Sequence, residues 1–416
     1  MRLRVVAAAA VAALLGLVAA TASASPQRAQ ANKLTVWLQV DAQSGWPDIV
    51  AAANQQFQQQ NPGWTVDVQY QNWTDHLQKF DATIAGNTTP DVIEMGNTEM
   101  TKYMAAGAFA DLTSAKSQFA NSSNWLKGLA KSGTYGGKVY GVPYYAGSRV
   151  ITYRSDLFKK AGISKAPRSL KEFQADLVKV GKAQKNVKGF SPLYVGGEDW
   201  YTALSFVFDY GGSIATTSKG KWIGTLNSPR SIAGLTAFKN FFLATQSKST
   251  ATLDGTSPYP YTVFSQGMTA ANYGPAWYTC CTGAKYKGAT QQFVMPSHTP
   301  GKPMPGFLGG SDLAVPVQSN SKTQAVQWLA AFTSTQAQRA LQAKGNIPNA
   351  TNLLGESVNE RAAAQSWFVP QAKHWVDVEN GNILKTMLAQ ILTGRLSVKQ
   401  ASTVASENIA QTLNGK

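Results

Sequence analysis

KLTVWLQV (residues 33–40) sets Leu34, Val36, Leu38 and Val40 at every second position, so all four share one face of a strand. Pro47 stands where a helix can begin, because its missing N–H would be unpaired there anyway. Ile49, Val50, Ala53 and Phe57 then recur at helical spacing, until Asn61-Pro62-Gly63 stops the helix. Val66, Val68 and Tyr70 mark a second strand, residues 74–85 a second helix, and Asp91 to Met95 a third strand. This alternation predicts a parallel sheet flanked by helices, with functional loops at the C-terminal ends of its strands.

Further on, residues 98–106 read as a helix and Asp111-Leu112-Thr113 closes the unit. Lys138 to Tyr145 is extended, broken at Pro143, and leads to a strand over 150–153. Two extended runs joined by Gly147-Ser148 with no helix between them break the rhythm, which points to a crossing into a second domain. A long helical region (155–184), a strand (190–195) and an aromatic-rich helix (199–209) follow. On that last helix Phe206 and Phe208 are expected in the core, while Trp200, beside Glu198 and Asp199, is expected at a cleft. Residues 323–332 form an amphipathic helix that buries Trp328. Gly345-Asn346-Ile347-Pro348 is a punctuated link, and the remainder is helical to near Lys416. No internal repeat is present.

Arg2 and Arg4 precede an apolar run from Val5 to Ala20, and Ala22-Ser23-Ala24 fits an A-x-A cleavage site. Residues 1–24 therefore read as a secretory signal peptide, leaving about 390 residues, enough for two domains. The chain carries 38 basic against 22 acidic residues, a formal +16. The basic residues are scattered rather than arranged as a stripe interleaved with stacking aromatics, which argues against nucleic acid; attraction to an anionic cell envelope is a consequence the charge does support. His76, His298 and His374 are too dispersed for a zinc site, and no metal or cofactor is expected. The two cysteines, Cys280 and Cys281, are adjacent. Two buried thiols, an intermolecular pairing or a vicinal disulfide all remain open.

Between Met268 and Phe332, short apolar segments (268–273, 292–295, 313–315) alternate with loops rich in Gly, Pro and aromatics. Glycines beside Trp277 and Tyr278 suit a surface where a flat polar ligand approaches the main chain, as a sugar would.

Three segments, PDVIEMGNTEMTKYMAAGAFADLT (90–113), KVYGVPYYAGSRVITYRSDLF (138–158), and YGPAWY followed by GFLGGSDLAVP (306–316), resemble in order and spacing the family 1 extracellular solute-binding proteins, the sugar receptors of ATP-binding-cassette importers. The resemblance implies an α/β periplasmic-binding-protein-like fold of two lobes joined by a multi-segment hinge. It places the crossings near 143–148, 309–312 and 345–349, the first and third of which coincide with breaks already read. The expected first lobe is then 33–145 plus 313–346, and the second 146–312 plus 347–416. The loop after Pro90-Asp91-Val92 carries over as ligand-contacting at Gly96, Asn97, Thr98 and Glu99. The aromatic platform falls on Trp277, one residue later than usual because Ala276 intervenes, with Tyr278 as its substitute. The leader lacks the lipid-modified cysteine usual in relatives from single-membrane bacteria. The expected location is therefore periplasmic, or extracellular at the cell surface.

A sugar ring presents apolar C–H faces and a rim of hydroxyls. Tyr145, Trp200 and Trp277 are candidates for the faces, and Asp41, Gln43, Asn97, Glu99, Glu198, Asp199, Asp312 and Asn346 for the rim, with Gly309-Gly310-Ser311 as close-approach backbone. For each acidic residue a surface ion pair is the plainer alternative, and for Arg149 an interlobe salt bridge. The expected partners are a di- or oligosaccharide and membrane permease subunits, the receptor itself being a monomer. Two rivals are a receptor for a peptide or glycerophosphodiester, and a glycoside hydrolase with Glu99 and Glu198 facing each other.

Overall fold

The computed structural model describes residues 32–246, 250–256, 258–363 and 365–415. The leader at 1–24 lies outside them, as does the side chain of Cys280. In the first sheet, strand Asn32–Gln39 lies between Trp64–Gln71 and Val92–Gly96 and runs parallel to both. Leu34, Val36 and Leu38 are fully buried, as their alternation requires. Val40 does not extend the strand but opens a short helix, Val40–Gly45, that carries Asp41. Helix Pro47–Gln60 has its proline in the first turn. It packs Ile49, Val50, Ala53 and Phe57 into the same core as Trp328, Leu329 and Phe332 of helix Lys322–Phe332. Each such buried Ile, Val, Leu or Phe side chain contributes roughly 1.5–3 kcal/mol.

Strand Gly309–Ala314 inserts between Val92–Gly96 and Gly141–Gly147, antiparallel to both. Residues 309–312 and 146–147 therefore belong to the first sheet, and both boundaries shift from their expected places. The third also shifts. Ile347 bridges Ala146, Ala350 bridges Trp125, and Leu353 sits in the first core, so the first lobe continues past 347 to about 353.

The second lobe centres on Arg149–Arg154, flanked antiparallel by Ala271–Pro275 and Thr290–Phe293. Helices Leu170–Ala183, Trp200–Asp209, Pro229–Thr245, Ile383–Thr393 and Val398–Leu413 pack a separate core around Phe173, Phe206, Phe238 and Leu388. The two large cores share no residue, which is the physical basis of two lobes. The helical region expected over 155–184 divides into Ser155–Lys160 and Leu170–Ala183, because Gly162 turns the chain at φ +78° and Pro167 follows. The strand expected over 190–195 is reduced to two isolated bridges, Ser191 to Thr269 and Tyr194 to Asn272, since Pro192 between them has no N–H to donate. Among the described residues no helix is long and apolar enough to cross a membrane.

Asn359, on helix Val358–Ala363, clasps the first interlobe crossing to the first lobe. Its Oδ1 accepts from the Ser148 amide at 2.9 Å, and its Nδ2 donates to the Gly345 carbonyl at 2.7 Å.

Candidate ligand-binding cleft

A cavity of about 280 Å³ opens between the lobes, beyond the C-terminal ends of the first two central strands. Asp41, Trp73, Gly96, Asn97, Thr98, Glu99, Tyr145, Gly147 and Gly309-Gly310-Ser311 line it from the first lobe. Arg149, Tyr201, Pro275, Trp277, Phe307 and Glu379 line it from the second. Five aromatic residues thus line a space that three carboxyl residues, Arg149, Asn97, Thr98, Ser311, Pro275 and glycines complete. At Gly310 a Cβ would meet the Tyr145 carbonyl at 2.2 Å, so only glycine lets these two strands close up at the cavity wall.

The polar groups are held in place by their neighbours. Glu99 Oε2 accepts from the Gly96 amide at 2.7 Å and pairs with His76 Nε2 at 2.9 Å. Burial alone lowers the His76 imidazole, but hydrogen bonding and charge from Glu99 outweigh it, and the net shift is upward. Trp73 Nε1 donates to Asp41 at 2.5 Å, while burial raises that carboxyl above its ordinary range. Asn97 Nδ2 donates to the Leu308 carbonyl at 3.1 Å, tying the loop after the third strand to the incoming chain. Glu379 is pushed up to about 8 by burial, with Glu99 across the cleft adding to the effect and Trp375 Nε1, at 2.5 Å, opposing it. Arg149 is ion-paired to Asp199, lies over the Tyr201 and Tyr273 rings, and keeps a buried Nε without a partner.

The bacterial extracellular solute-binding protein family, as a sequence profile, matches residues 38–339. The chain belongs to this family. Across 354 residues it is 29% identical to the diacetylchitobiose binding protein of Streptomyces coelicolor, covering 82% of this chain and 81% of that one. A probable ABC transporter-binding protein of Deinococcus radiodurans is 28% identical over 54% of each chain. Among solved structures, the GacH receptor of Streptomyces glaucescens superposes with a TM-score of 0.79 at 19% identity, over 92% of this chain and 98% of that one. A substrate-binding protein of Listeria monocytogenes in complex with cycloalternan gives 0.76 at 22% identity, over 92% of this chain and all of that one. These likenesses place the fold among two-lobed, maltose-binding-protein-type structures.

In this solute-binding protein the structure brings Asp41, Asn97, Thr98, Glu99, Tyr145, Trp277, Gly310 and Ser311 to one cavity. Trp277 lines it, whereas Tyr278 turns inward over Gly274, where a Cβ would sit 2.3 Å from its ring. The other candidates fall elsewhere. Trp200 is 6% exposed in the second core, and its neighbour Tyr201, rotated about 100° along the same helix, lines the cavity instead. Asp199 caps that helix and holds Arg149, an ion pair within the second lobe and not between lobes. Glu198 sits in a separate depression with Lys385 and Arg395, so it does not face Glu99. Asp312 is fully buried and accepts from Ser132 Oγ at 2.6 Å. Asn346 is buried against the Leu341 carbonyl, and Gln43 is exposed on the short helix after the first strand. Cys281 is disulfide-bonded, and the only other cysteine of the chain, Cys280, has a side chain outside the described residues.

Trp73, Tyr201, Phe307 and Glu379 were not anticipated. Trp73 had a usable signal, since Asn72-Trp73-Thr74 directly follows the second parallel strand, where such sheets bind ligands. Glu379 had none, because nothing in the sequence brings helix Trp375–Asn380 back to the cleft.

Proposed function

We propose that this protein is the exported substrate-binding component of a carbohydrate ABC importer. It captures a di- or oligosaccharide between its lobes and presents the closed form to membrane permease subunits, without chemical turnover. The observation that carries this is the pairing of aromatic faces from both lobes (Trp73 and Tyr145 against Tyr201, Trp277 and Phe307) with fixed donors and acceptors at the rim. The diacetylchitobiose binding protein and the two structural neighbours, solved in complex with acarbose and with cycloalternan, support the choice of ligand class. Ligand touching both lobes stabilises the closed form by its differential affinity for that form. Roughly 5 kcal/mol of preference moves such an equilibrium from mostly open to mostly closed. A few stacked rings and charge-assisted bonds, at about 1–3 kcal/mol each, suffice.

One observation favours a hydrolase: Glu379, raised by burial, faces Glu99. Glu99, for its part, is anchored through Oε2 alone by the Gly96 amide and His76. A thermal-shift screen of the mature protein against mono-, chito-, cello- and malto-saccharides, with product analysis, separates the two. Stabilisation at one-to-one stoichiometry with no new reducing ends supports the receptor; turnover contradicts it. Trp277→Ala is expected to weaken binding on the order of 100-fold while leaving the melting temperature of the free protein nearly unchanged, as calorimetry would show.

A further inference from the structure

We propose, on the footing of a saccharide-binding cleft, that Tyr259 and Tyr261 form an outer subsite that stacks a third residue of an uncharged oligosaccharide. The sequence here is Pro258-Tyr259-Pro260-Tyr261. Pro260 occupies the first turn of helix Pro260–Ser265, and Tyr259 caps it in an extended conformation (φ −63°, ψ 143°). Two prolines and a helix start restrict the backbone, so little conformational freedom is lost when the rings engage a ligand.

The rings of Tyr259 and Tyr261 lie 5.1 Å apart and 9° from parallel. Tyr261 in turn lies 6.0 Å from Trp277 and meets Tyr278 edge-on at 5.0 Å. Trp277 lines the cavity, so the three rings make one aromatic surface running from the cleft out to solvent. At its outer end Tyr259 is 43% exposed, whereas most rings of this chain are buried. On the first lobe Trp73, which lines the cavity, is 39% exposed and donates to Asp41. Burial raises both phenols, and neighbouring charge adds to the shift. An exposed tyrosine surface continuous with Trp277 suits a sugar ring, whose C–H faces stack on it while its hydroxyls stay in water. It ill suits an anion.

Titration calorimetry with di- and trisaccharides of the chito, cello and malto series tests this on the mature protein. For the series that binds, the trisaccharide is expected to bind about tenfold more tightly than the disaccharide. Tyr259→Ala should reduce that ratio to near one, whereas Tyr259→Phe, which keeps the ring, should preserve it. Equal di- and trisaccharide affinities in the natural protein would overturn the outer subsite alone. So would a ratio that survives Tyr259→Ala or collapses in Tyr259→Phe. Failure of every saccharide to bind would overturn the cleft itself, and the subsite with it.

Discussion

Asp199→Ala is expected to destabilise the protein by about 3–5 kcal/mol, a large fraction of the 5–15 kcal/mol typical of a folded domain. Arg149 begins the central strand of the second lobe and is enclosed by Tyr201, Tyr273 and Asp199. Burial by itself disfavours its charge, and the Asp199 carboxylate is the main effect that restores it. Removing that carboxylate leaves a buried guanidinium with no counter-charge, the costly way to break such a pair. Asp199 also caps helix Trp200–Asp209, accepting from Thr202 Oγ1 at 2.9 Å and from the Thr202 amide at 3.4 Å, so cap loss adds about 1 kcal/mol. Urea unfolding would read the change as a lower midpoint at unchanged slope. Replacing both partners with apolar residues should restore much of the loss. A cost below about 1 kcal/mol for Asp199→Ala would mean that the pair is solvated in solution.

The melting temperature is expected to fall by on the order of 5–10 °C between pH 5 and pH 8.5. Glu94 is fully buried, its Oε2 accepting from the Gln39 amide at 2.9 Å, and burial pushes it up to about 7. Burial likewise pushes Asp312 up to about 7 and Glu379 up to about 8. An unfolded carboxyl gives up its proton near 4–4.5. Between that pH and each raised value the folded chain therefore binds more protons, and stability falls as pH rises. His76 acts in the same sense, because its raised imidazole contributes stability that is lost as pH rises through its folded value. Glu360 opposes this at the acid end. Burial would raise it, but the Ser357 hydroxyl and the Gly355 and Ser357 amides hold it below its ordinary range, so its contribution is lost as pH falls through that value. A stability maximum near pH 5 follows. Asp312→Asn and Glu94→Gln should each flatten the alkaline limb in scanning calorimetry; a melting temperature level or rising toward pH 8.5 would contradict these assignments.

The first lobe was legible because its pattern is local. The alternation of Leu34, Val36 and Leu38 and the helical spacing of Ile49, Val50 and Phe57 are satisfied by neighbours close in sequence. Long-range insertions were read less accurately. Strand Gly309–Ala314 enters the first sheet as a whole, so the boundary fell four residues earlier than the motif suggested, and no local feature marks that point. The site divides along the same line. Asn97, Thr98 and Glu99 follow a parallel strand, and Trp277 follows the Gly-Pro end of another strand, both positional signals. Trp200 is expected at the cleft from its place beside Glu198 and Asp199, yet helix rotation decides which ring faces the cavity, and that ring is Tyr201. Asp312 and Asp199 read as ligand groups because carboxyls accept from sugar hydroxyls, and here they are buried for structural partners, Ser132 and Arg149.

Small-angle X-ray scattering of the mature protein, with and without a saccharide shown by calorimetry to bind, tests interlobe capture most directly. The radius of gyration is predicted to fall on saturation, with a scattering profile that matches lobes closed over the cavity lined by Trp73, Tyr145, Tyr201 and Trp277. An unchanged profile with the saccharide fully bound would contradict it.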